Sequence, residues 1–111
     1  MTDEPVVVDN GDAGRFELWV EGQLAGFAEH HRRDGVLVIT HTEIDPAFEG
    51  RGLGSVLTRS VLEGARRRGE PVLPLCPFTR AYIQRHPSFV ELVPRSERAA
   101  LGFDEVSDLE D

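Results

Sequence analysis

The chain has 111 residues, 40% of them hydrophobic, with 20 acidic against 12 basic side chains and a formal net charge of −8. That suits one domain with one modest core, and the acidic balance argues against a general nucleic-acid binder. No apolar run reaches the roughly 18 residues of a membrane span, Met1-Thr2-Asp3-Glu4 is no signal peptide, and the single cysteine, Cys76, excludes an internal disulfide or a thiolate metal cluster, so the expectation is a cytoplasmic protein without a metal.

Residues 1–13 are acidic and glycine-containing and read as a flexible lead-in. From Arg15 the pattern alternates: Phe16, Leu18 and Val20 point one way, and Arg15, Glu17 and Trp19 the other, as in a half-buried strand. Glu21-Gly22-Gln23 reads as a hairpin turn. Residues 24–31 form a second strand, and Arg32-Arg33-Asp34-Gly35 a second turn. The run from Val36 to Ile44 is the most β-prone of the chain and, apolar on both faces at its start, reads as a central strand. Its far end turns polar through Thr40, His41, Thr42 and Glu43.

Three glycines, Gly50, Gly52 and Gly54, then sit two apart in Glu49-Gly50-Arg51-Gly52-Leu53-Gly54-Ser55. Glycine lets the backbone turn its N–H groups toward a ligand, and the helix that follows adds free N–H groups and the positive end of its dipole. The stretch reads either as an anion cradle or as a tight strand-to-helix connection with no ligand. The helix, Leu53 to Arg68, carries Leu53, Val56, Leu57, Ser60, Val61 and Gly64 on one stripe. Arg66, Arg67 and Arg68 suit its C-terminal dipole, Gly69 its cap, and Pro71 blocks continuation.

Residues 72–76 read as a short strand that Pro74 confines to an edge or a bulge. Residues 79–85 suit a second helix, capped by Thr79 and stopped before Pro87. Residues 89–93 suggest a last short strand, and from residue 94 the chain turns polar and ends in an acidic tail, 104–111. The class is therefore α+β: an antiparallel meander of three strands, a glycine-rich loop, a helix, a parallel strand, a short helix and a possible last strand, with the domain over 14–93. Parallel strands joined through a helix cross over right-handedly, and ligands belong at their carboxyl ends. Here that means Glu43, Ile44 and Cys76, beside the glycine loop.

The run from Ile44 to Ser55, leading into a helix, resembles the acetyl-CoA pyrophosphate loop of the GNAT superfamily of N-acetyltransferases, whose pattern [Gln/Arg]-x-x-Gly-x-[Gly/Ala] falls on Glu49, Gly52 and Gly54. Cys76-Pro77-Phe78 with Tyr82-Ile83 and His86-Pro87 is similar to a motif of very small, single-domain members. Glu49 departs from the usual Gln or Arg and puts a negative charge beside a polyphosphate. No sequence ahead of the first strand supplies the two N-terminal helices of larger members, which leaves the acceptor groove open or completed by a partner or a second subunit, as in a homodimer.

The resemblance implies an acetyl-CoA-dependent N-acetyltransferase acting on an amine. It places the pyrophosphate on Gly50, Arg51, Gly52, Leu53, Gly54 and Ser55, the pantetheine arm along the main chain near Ile44, and the thioester at a splayed strand pair between Ile44 and Cys76. Tyr82 falls where many members carry the acid that protonates the thiolate; it reads equally as a core-packing ring. His41 and Glu43 alternate onto one face, where either can take a proton from the amine. Cys76 is either a nucleophile or a small apolar neighbour of the thioester. Arg85 and His86 either touch a CoA phosphate or serve the helix end. Two other readings stand beside this one: a module that binds CoA or acyl-CoA without efficient turnover, and a structural domain whose loop binds nothing.

Overall fold

Two glycine-containing turns set the register of the sheet. In the computed structural model, which describes residues 4–103, Glu21 and Gly22 both take positive φ (52° and 77°), and Asp34 and Gly35 repeat the pattern (54° and 78°). Such two-residue turns match the right-handed twist of the strands they join, here β2 (Arg15–Val20), β3 (Gln23–Arg33) and β4 (Val36–Ile44).

The segment read from sequence as a lead-in holds a further strand, β1 (Val6–Asn10), antiparallel to β2 with Val7 opposite Leu18. Its β-branched Val6-Val7-Val8 run favours a strand, a signal that the acidic flanks hide; residues 1–3 of that segment lie outside the described residues. A single 3₁₀ turn, Gly11–Ala13, connects β1 to β2. The meander therefore extends to four strands, and β5 (Val72–Pro74) adds to it in parallel, giving the order β1-β2-β3-β4-β5. Pro74, which has no N–H to give, stands on an edge strand as its chemistry requires.

Helix α1 (Leu53–Arg68) links β4 to β5 and ends at Gly69, which takes φ 68° and donates to the carbonyls of Ala65 and Arg66. Its inner stripe is Leu53, Leu57, Val61, Leu62 and Ala65, packed on Phe16, Leu18, Leu37 and Ile39. Val56, predicted on that stripe, is exposed instead, and Leu62 takes the inward position. Helix α2 (Pro77–Arg85) starts two residues earlier than predicted. Pro77 fits the first turn, where its missing N–H is not needed, and Cys76 rather than Thr79 occupies the capping position. The last strand expected over 89–93 is a 3₁₀ turn, Pro87–Leu92. Phe89, Val90 and Val93 are buried from it, and that spacing belongs to a helical turn rather than to alternation. A one-turn helix α3 (Arg95–Arg98) and the buried Phe103 follow, so the chain stays packed beyond residue 94. The acidic stretch 104–111 lies outside the described residues.

Strand register separates the two sheet faces. Pairing sets Val8, Glu17, Phe27 and Glu43 in one cross-strand row and Asn10, Arg15, Glu29 and His41 in the next. The Arg15 guanidinium lies 5.0 Å from the Phe27 ring centroid, and the Phe27 and His41 rings 6.2 Å apart, as neighbours on one face. That face lies opposite the one bearing Phe16 and Leu18, which α1 covers.

At the edge of this surface Gly26 lies opposite Ile44. A Cβ there would come within 2.6 Å of the Glu43 carbonyl oxygen and 2.6 Å of Ile44 Cδ1. The carbonyl belongs to the backbone and has nowhere to go. Gly26→Ala is therefore expected to lower unfolding free energy by about 1–3 kcal/mol, measured by urea denaturation; a variant as stable as the parent would mean that β3 and β4 separate freely there.

Candidate active site

The pairing of β4 with β5 ends early. Leu37, Val38 and Ile39 pair with Val72, Leu73 and Pro74, and then the Ile39 carbonyl accepts from two amides at once, those of Leu75 and Cys76, both at 2.9 Å. Two donors on one acceptor turn β5 away, while β4 runs on to Ile44 paired only with β3. The splay expected between Ile44 and Cys76 thus begins at Ile39.

A bulge coincides with that point. His30 pairs with Ile39 and Glu29 with His41, so Thr40 is the extra residue of β4. A bulge shifts the alternation of everything that follows. Ile39 faces the core, but so do Thr42 and Ile44, while His41 and Glu43 face the opposite side. The strand end therefore presents different chemistry through its two faces.

On the core side, Cys76 Sγ and Thr42 Oγ1 are 3.4 Å apart. The thiol donates while it holds its proton, and the hydroxyl donates to sulfur once it is lost. Burial pushes the Cys76 thiol up, but the Thr42 hydroxyl and the amides of Thr79 and Phe78 in the first turn of α2 outweigh it, and the net shift is downward. On the other side, His41 Nε2 lies 3.1 Å from Glu43 Oε1. The hydrogen bond to the Glu43 carboxylate raises the imidazole above its ordinary value against desolvation, and the charge of Glu29 across the strands adds to the rise.

The glycine loop follows β4 through a 3₁₀ turn, Pro46–Phe48, in which the Asp45 carboxylate accepts from the Ala47 amide and the Asp45 carbonyl from that of Phe48. Glu49 is extended, Gly50 takes φ 88° and Gly52 φ 71°. A Cβ at either glycine would meet nothing within 4 Å, so both positions are glycine for backbone conformation, and open space lies in front of them. Gly54 is different: a Cβ there would come within 2.8 Å of the Phe78 ring, where α1 meets α2. Gly52 caps α1 without a side-chain hydrogen bond, and among the described residues no acceptor takes the amides from Gly50 to Ser55. Arg51 lies 5.2 Å over the Phe48 ring, and Glu49 forms no ion pair with it among the described residues.

The remaining predicted residues lie on α2 or at its C-terminal cap. Tyr82 belongs to the core, 3% exposed, with ring centroids 4.3 Å from His86 and 6.1 Å from Phe89. Arg85 lies 6.0 Å over the same ring. With a rise of 1.5 Å per residue, the 9-residue α2 holds Arg85 and His86 about 13 Å along the axis from Cys76. Thr42, Phe78, Thr79 and Glu29 belong to the arrangement and were missed. The alternation of Thr42 against His41 carried a signal for the first; the others depend on register and helix placement.

A splayed parallel pair with a glycine loop of free amides beside it is the architecture of an acyl-transfer domain. The model of the GCN5-related N-acetyl-transferase family matches residues 15–92, and the chain belongs to that family; it is an acetyltransferase by class. No curated protein matches the chain. Among the described residues no helix is long and apolar enough to cross a membrane, and no group of His, Cys, Asp and Glu is placed to hold a metal ion.

The raised His41 fixes a sign. Its protonated pair with Glu43 contributes stability that is fully present below the unfolded histidine value, about 6.5, and fades as pH rises through the higher folded value. An NMR titration should find His41 titrating above an ordinary histidine, and Glu43→Gln should bring it down while Glu29 still holds part of the shift. Equal values in parent and variant would remove Glu43 as the cause.

Proposed function

We propose that this chain transfers the acetyl group of acetyl-CoA to an amine, with the donor held between β4 and β5 and the acceptor arriving on the opposite sheet face. The observation that carries the reading is the conjunction of an unpaired β4 edge with a loop of unpartnered amides and open space at its end. Those amides, the positive end of the α1 dipole and Arg51 suit a pyrophosphate. The free β4 edge beyond Ile39 suits an extended pantetheine arm, which would add to the sheet as a strand does.

The chemistry follows from the two faces. His41, with Glu43 behind it, takes a proton from the ammonium form of the acceptor, and the freed nitrogen lone pair attacks the thioester carbonyl carbon. A main-chain N–H near the splay steadies the carbonyl oxygen. The carbon–sulfur bond breaks, the Tyr82 hydroxyl protonates the departing thiolate, and the second proton shed by the nitrogen as the amide forms returns to the tyrosinate. Cys76 stands beside the thioester as a neighbour of low bulk, and the transfer is direct.

The packing of the Tyr82 ring in the core favours a second reading, a CoA-binding module without efficient turnover, since a ring held there has little freedom to follow a leaving group. Isothermal titration with acetyl-CoA, followed by assay of amine acetylation, separates the two. Saturable binding without acetylation of any amine pool selects the module.

Gly52→Val places a β-branched side chain at φ 71°, a conformation it resists, and should weaken acetyl-CoA at least about tenfold through lost charge-assisted hydrogen bonds with a near-native circular dichroism spectrum. Unchanged affinity in the folded variant would sink the cradle. For Cys76, intact-mass analysis after incubation with acetyl-CoA should show no thiol adduct, and Cys76→Ala should keep most activity. Because the chain has no lysine, and so no ε-amino group to acetylate by accident, a kinetically competent adduct on Cys76 would be easy to see and would replace direct transfer.

A further inference from the structure

At the C-terminal end of α1, far from the splay, this acidic chain turns three arginines toward one cleft. The cleft has a volume of about 570 Å³, with Leu92, Val93 and Pro94 as apolar wall and Arg66, Arg95 and Arg98 around it. Two acidic side chains share its rim, and both are engaged. Glu91 pairs with Arg66 at 3.2 Å, and Glu70 is shared by Arg32 and Arg68. Arg95 and Arg98 have no carboxylate partner among the described residues.

Arg98 is the decisive side chain. It is 8% exposed, and its Nε donates to the Val93 carbonyl at 2.9 Å. No acceptor among the described residues takes the N–H groups of its two terminal nitrogens, and the residue lines the cleft. These terminal N–H groups open onto the cleft rather than being enclosed, since among the described residues the buried side-chain polar atoms without a partner are His30 Nδ1 and Thr58 Oγ1. A guanidinium keeps its charge and its donors there. Its planar fork matches the two oxygens of a carboxylate or phosphate, and apolar walls strengthen such a pair.

We infer that this cleft is an oxyanion site, in which a carboxylate or phosphate group docks on Arg98 and Arg95. It is separate from the glycine loop, because the 16 residues of α1 lie between them, about 24 Å along its axis. The same chemistry has two sources. One is a free oxyanion from solution; the other is the chain's own acidic stretch 104–111, which follows Phe103, whose amide donates to the Arg98 carbonyl at 2.8 Å.

The test uses the full chain with inorganic pyrophosphate as probe, read by the NMR resonances of Arg98 Nε–H and of the Val93 and Arg95 amides. Saturable shifts at these groups, weakened about tenfold in Arg98→Gln and less in the exposed variant Arg95→Gln, establish the free-oxyanion source. A full-length variant with Asp104, Glu105, Asp108, Glu110 and Asp111 changed to their amides identifies the other: its Arg98 Nε–H moves without any probe, and pyrophosphate then binds more tightly. Arg95→Gln keeps the test valid if Arg98→Gln fails to fold. The inference is overturned if neither pyrophosphate nor neutralisation of 104–111 moves these resonances, or if the only shifts fall at residues 50–55.

Discussion

The double use of the Ile39 carbonyl is the constraint on which the rest of the site depends. A parallel ladder continues only while each carbonyl faces one amide of its neighbour. Once the amides of Leu75 and Cys76 both turn to Ile39, β5 cannot follow β4 further. Everything beyond that carbonyl is a consequence. β4 keeps a free edge, Cys76 is delivered to the start of α2, and the loop after Ile44 has room to bring its glycines alongside. The Thr40 bulge falls at the same level and assigns the residues beyond it to two faces.

Those faces are tuned in opposite senses. Charge on sulfur is favoured by a hydroxyl and by the positive end of a helix, against the cost of burial, whereas positive charge on the imidazole is favoured by two carboxylates at an open surface. Each group also contributes to the field felt by the other, since negative charge at Cys76 helps to raise His41. In the reaction proposed above, a site divided in this way would keep the donor arm and the cationic acceptor apart, with one strand as the boundary.

Much of the fold was legible because its signals are local. The bounds of β4 and α1 follow from β-branched density, helical spacing and the glycine after Arg68, and both turns from Glu-Gly and Asp-Gly pairs. What stayed hidden needed partners distant in sequence. Val6–Asn10 is a strand because β2 offers it an edge, and residues 89–93 chose a helical turn because Phe89, Val90 and Val93 reach the core together only at that spacing. The glycines were recognised as a set, yet they serve two purposes: Gly50 and Gly52 supply left-handed backbone, while Gly54 yields space to the Phe78 ring. The bulge at Thr40 left no mark in the sequence, and it decides which way His41 and Thr42 point.

The brevity of the β4–β5 ladder has a further consequence, in the order of assembly. The four antiparallel strands close through short connections, so their contacts are cheap in loop entropy and form early. Leu37 and Val72, by contrast, meet across 35 residues of chain and hold only three residue pairs between their strands. The parallel pair is then expected to be the last part of the sheet to close and the first to open. The seam expected to open first is the one proposed above to hold the donor.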